Sequence, residues 1–102
     1  MAKFVFAYKG GGMAQTPEAH EAAMKAWGGW FEGLGPAVVE IGNPFAGSTA
    51  VAADGTTGPA TAGITGFSVV QADSLDTAAK LANDCPIYAG GGNVEVYEAV
   101  EM

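Results

Sequence analysis

The stretch Lys3-Phe4-Val5-Phe6-Ala7-Tyr8 sets Phe4, Phe6 and Tyr8 on one side of an extended chain and Val5 and Ala7 on the other. Gly10-Gly11-Gly12 closes the run, so it reads as a first strand that is apolar on both faces. An antiparallel sheet with one wet face alternates apolar and polar residues. This strand does not, so both of its faces need a cover.

The rest of the chain supplies the first cover. Thr16 offers a capping hydroxyl and Pro17 a first helical position, which predicts a helix running to about Leu34 and ended by Gly35-Pro36. Ala37 to Ile41 reads as a second strand that stops before Gly42-Asn43-Pro44. Pro44 to Gly63, rich in Gly, Ser, Thr and Pro, predicts a surface β-excursion that turns at Asp54-Gly55. Ile64 to Gln71 is the next strand. Asp73-Ser74 and Asp76 open a second helix, with Leu75, Ala78, Ala79, Ala82 and Cys85 as its buried stripe and Pro86 as its stop. After Gly90-Gly91-Gly92, Val94 to Val100 forms a last strand. The order βαββαβ with right-handed crossovers gives an α+β, ferredoxin-like domain: a four-stranded antiparallel sheet with both helices on one face. The other face is left open. Closed by a second copy, it makes a homodimer, and two-fold dimers are the commonest oligomers.

Bulk properties bound the function. With 102 residues the chain is a single domain over 1–102, long enough to hold a core. Four Lys, no Arg and eleven acidic residues give a net charge of −7, which argues against nucleic acid and anionic membrane as partners. No stretch reads as a signal peptide or a membrane span, so a cytoplasmic location is expected. Cys85 is the single cysteine and reads as a buried, inert thiol. The residue sets of metal hydrolases and serine hydrolases are absent, and no metal or other cofactor is expected. Gly10-Gly11-Gly12 lacks the third glycine of a dinucleotide fingerprint, that position being Gln15, and reads as a plain turn.

His20 is the only histidine, and it precedes Met24, Trp27 and Phe31 on one helical stripe, which predicts that it points inward. It is the one candidate for general acid-base catalysis, provided that Glu40, Glu95 or a carboxylate of a second subunit orients its ring. The competing reading is a hydrogen-bonded structural His beside Met24. Tyr8 and Trp27 are candidate apolar walls of a ligand cleft, with Asn43, Ser48 and Tyr97 as its polar contacts; aromatics at this spacing are also ordinary core residues. Gly28-Gly29 costs helix stability, roughly 1 kcal/mol per Gly relative to Ala, which marks a place where another backbone or a ligand comes close.

Five segments together resemble the YCII-related proteins, including their DGPF-type subgroup, in the dimeric α/β barrel superfamily. They are Phe4 to Tyr8, Ala26-Trp27-Gly28-Gly29-Trp30-Phe31 with Leu34-Gly35, Gly42-Asn43-Pro44-Phe45, Gly63 to Val70, and Ala72 to Asp76 through Cys85-Pro86. The resemblance implies a dimeric barrel and a cleft lined by the first helix and neighbouring strand ends. Some YCII-type members carry a His-Asp pair on which enzymatic proposals for the family rest. His20 matches the histidine, but Leu34 stands where the aspartate is expected, and Gly58-Pro59-Ala60-Thr61 matches the DGPF motif only in part. Two functions follow as expectations. One is a homodimer that binds a small apolar organic molecule near His20, with metal-independent acid-base chemistry; the other is a non-catalytic interaction or regulatory module that meets a partner protein through Pro44 to Gly63.

Overall fold

A computed structural model describes residues 1–11 and 16–101. The elements are β1 (Ala2–Lys9), α1 (Pro17–Leu34), β2 (Val38–Glu40), β3 (Ala50–Val51), β4 (Thr57–Gly58), β5 (Ile64–Ala72), α2 (Leu75–Leu81) and β6 (Asn93–Ala99). Strands β2, β5, β1 and β6, in that spatial order, form one sheet in which all three pairings are antiparallel. This is the ferredoxin-like arrangement expected from the sequence. β3 and β4 form the separate hairpin of the excursion, and Asp54 accepts the Thr56 backbone N–H at its tip. Gly12 and Gln15 lie outside the described residues.

Local signals set the helix ends. The Thr16 hydroxyl accepts the Ala19 backbone N–H at 3.0 Å and Gly35 caps the other end of α1 at φ +56°. The Ser74 hydroxyl accepts the Thr77 N–H at 3.2 Å at the start of α2. α2 is shorter than the sequence predicts. Pro86 holds Cys85 extended, at φ −61° and ψ 132°, so the helix gives way to a 3-10 turn at Ala82. The predicted stripe is corrected accordingly: Ala78, Ala82 and Cys85 are buried, while Leu75 and Ala79 are exposed.

The two faces of β1 have different fates. Phe4, Phe6 and Tyr8 are buried against the helices, with Val70 and Ser68 of β5 beside them. Trp27, Trp30 and Leu34 of α1 pack onto this core, and the Trp30 indole N–H donates to the Leu81 carbonyl at 3.3 Å. Tyr8 meets Trp27 edge to face at 5.1 Å between ring centres, and Trp27 meets Trp30 in the same way at 5.7 Å. On the other face Val5 pairs with Val69 and Tyr97, and Ala7 with Phe67. Phe45, at the root of the excursion, stacks on Phe67 at 5.8 Å. Among the described residues no helix covers this apolar patch.

α1 touches the sheet only through its C-terminal half. Its N-terminal half carries Ala19, Ala22 and Ala23, which favour helix but have too little volume to bridge a helix-to-sheet gap. The consequence is a chain with much surface. Its accessible area is 7035 Å², whereas a compact monomer of 10.2 kDa exposes about 5,300 Å². Its radius of gyration is 15.0 Å, against roughly 13 Å for a compact domain of this length.

Candidate functional site

The residues singled out from the sequence do not converge. His20 is exposed on the N-terminal half of α1, and Met24 beside it is 63% exposed, which corrects the inward direction predicted from the stripe. The periodicity is present, but the sheet does not extend beneath that half of the helix. Of the two carboxylates of this chain proposed to orient His20, Glu95 is already engaged. Glu95 takes the Lys9 ammonium at 3.4 Å and the Tyr97 hydroxyl, and Glu40 sits in the edge strand β2.

Tyr8 and Trp27 do meet, but as core. The Tyr8 hydroxyl donates to Ser68 Oγ at 2.7 Å, and Ser68 in turn donates to the Ile41 carbonyl. Burial holds the Tyr8 hydroxyl protonated far above the usual tyrosine range, with the Ser68 bond opposing that shift. Tyr97 lies across the sheet from Tyr8: it pairs with Val5 on the open face, about half exposed. Its bond to Glu95 lowers the carboxylate's pKa and raises that of the phenol. Asn43 gives its backbone carbonyl to the Phe67 N–H, and Ser48 is exposed in the excursion. A cleft built from all five residues would need both faces of one sheet.

A different concavity is present. The last two turns of α1 and the β2 edge border an open, shallow groove of ≈ 410 Å³ lined by Gly28, Phe31, Glu32, Gly35, Val38 and Ile41. Its construction follows from the sequence. Gly28 and Gly35 put no side chain into it, and a Cβ at either would meet nothing within 4 Å. Phe31 and Val38 are half-buried walls, Ile41 is 58% exposed, and Glu32 is the single ionisable lining residue. The sequence marks Gly28-Gly29 as a place of close approach, but among the described residues nothing comes within 4 Å of a Cβ built at either. Ile41 and Val38 gave no such signal, because their contribution depends on the β2 edge lying beside α1. A second concavity of ≈ 320 Å³ lies between Leu34, Pro36, Gln71, Asp73 and Leu81, with Met1 at its rim.

Cys85, buried beneath α2, has its thiol pushed up to about 11 by burial. At pH 8 the folded chain should therefore react with a disulfide reagent about a hundredfold more slowly than the unfolded chain on ionisation alone, and more slowly still through burial. A thiol assay with and without denaturant measures this; equal rates would contradict the packing described. Among the described residues no three His, Cys, Asp or Glu side chains gather as a metal-binding group, and no helix is long and apolar enough to cross a membrane.

A family model described as the YCII-related domain matches residues 4–102, nearly the whole chain. No curated protein and no solved structure matches it.

Proposed function

The chain belongs to the YCII-related family, and from that premise we propose that it is a homodimeric binding protein that takes a small, mostly apolar organic molecule in the groove between α1 and β2. The observation that carries this reading is the groove itself, ≈ 410 Å³ with apolar walls and one carboxylate, the usual make-up of a small-molecule site. The apolar sheet face and the excess of exposed surface support the homodimer. The cytoplasm is the compartment proposed for it.

Acid-base chemistry has one candidate, His20, about three turns of helix from Phe31 in the groove. That separation favours binding over proton transfer at this site. A second reading, a protein-interaction module, draws on the excursion, where Val51 is 67% exposed on the β3–β4 hairpin and Phe45 is 48% exposed at its root.

An NMR screen of the whole chain against single-ring organic compounds separates the two readings. A ligand of the groove should shift the amide resonances of Gly28, Phe31, Val38 and Ile41, and Gly28→Leu should abolish those shifts by filling the space. Shifts confined to the hairpin, or binding that survives Gly28→Leu, would overturn the groove reading.

A further inference from the structure

We infer that the groove between α1 and β2 selects a small organic ammonium ion, an apolar body carrying one positive charge; the inference rests on the groove reading and deepens it. The groove's single ionisable lining residue is Glu32, which stands in the last turn of the 18-residue helix α1. That end of a helix carries a partial negative charge from its free carbonyls. A basic residue there would neutralise it, and α1 has none in its last turn. No lysine lines the groove, and among the described residues the one ion pair is Lys9–Glu95, far along the chain from Glu32. Among the described residues the charge of Glu32 is therefore unpaired, at a site whose field is negative from two sources.

The walls specify the rest of the ligand. Phe31, Val38 and Ile41 face a volume at the lower end of the range for ligand sites, about 300–1,000 Å³. A single ring or short alkyl body fills such a space, and the Phe31 ring adds a face that attracts a cation. The absence of side chains at Gly28 and Gly35 leaves the approach to the helix end open. A net charge of −7 over the whole chain favours the arrival of cations and disfavours anions.

Three probes of one shape test the inference: phenethylammonium, phenethyl alcohol and phenylacetate, titrated separately into the full chain and followed by NMR. The ammonium should bind about three- to fivefold more tightly than the alcohol, the upper range for a partly exposed ion pair, and phenylacetate should bind least. Glu32→Gln, an exposed substitution that leaves the fold intact, should bring the ammonium to within about twofold of the alcohol and leave the alcohol unchanged. Equal binding of ammonium and alcohol in the groove, or a preference that survives Glu32→Gln, would overturn the choice of ligand while leaving the groove reading standing. Binding of all three probes outside the groove, or of none, would overturn the inference as well.

Discussion

Val5→Asp should turn the proposed dimer into a folded monomer. Val5 lies in the central strand on the face that no helix covers, flanked by Val69 and Tyr97 in the adjacent strands. In a two-fold dimer closed over this face, each substitution occurs twice. A carboxylate that loses its water without gaining a partner costs about 2 kcal/mol or more, so the pair weakens association roughly a thousandfold. The helix-facing core, Phe4, Phe6 and Tyr8, points the other way and keeps the chain folded. Sedimentation gives the mass and far-ultraviolet circular dichroism the fold. Val69→Lys, on the same face from the neighbouring strand, is the second variant should Val5→Asp fold poorly. A variant that stays dimeric would show that the open face is not the contact.

Gly42→Ala should be the most damaging small substitution in the chain. Gly42 holds φ +78°, and a Cβ there would lie 1.9 Å from the Phe67 carbonyl oxygen and 2.7 Å from its carbon. Both atoms are backbone, so no side chain can swing aside. The shift would also strike Ile41, whose carbonyl receives the Ser68 hydroxyl beneath Tyr8. A loss of about 3 kcal/mol or more is expected, a large part of the stability of a small domain. It should lower the melting temperature by roughly 12–20 °C. Gly35→Ala is the control. It also has positive φ, +56°, but its Cβ meets nothing within 4 Å, so about 1 kcal/mol is the expected cost. Comparable losses from the two substitutions would refute the close approach of Gly42 to β5.

The sequence carried the sheet because strand patterns are local. The two-sided apolar run of β1, the Asp54-Gly55 turn and the hydroxyl caps at Thr16 and Ser74 each act within a few residues, and each is where the pattern puts it. Helix faces were less legible. A 3.6-residue period says which residues share a stripe, but not how far the sheet runs beneath it, so His20 and Met24 fall beyond the packed half of α1. The ligand set suffered from register. Tyr8 and Tyr97 lie on opposite faces because Tyr97 pairs with Val5, an odd position of β1, a relation fixed by strand alignment rather than by either segment alone. Ser68 was missed for the same reason: its hydroxyl matters only because β5 sets it against Phe6 and within reach of Tyr8. A polar residue alternating with Phe67 and Val69 was the available signal. The groove depends on a helix end and an edge strand brought together by the fold, and of its lining only the helix glycines announced themselves.

The proposed dimer would make the chain half of an assembly: one sheet, sealed on one side by its own helices and on the other by a second copy. The excess of exposed area, the half-exposed apolar patch formed by Val5, Phe67 and Val69, and the long exposed excursion all point the same way. Sedimentation equilibrium of the unmodified protein at micromolar concentration tests this most directly. The account predicts twice the 10.2 kDa mass of the chain; a single-chain mass across that range would contradict it.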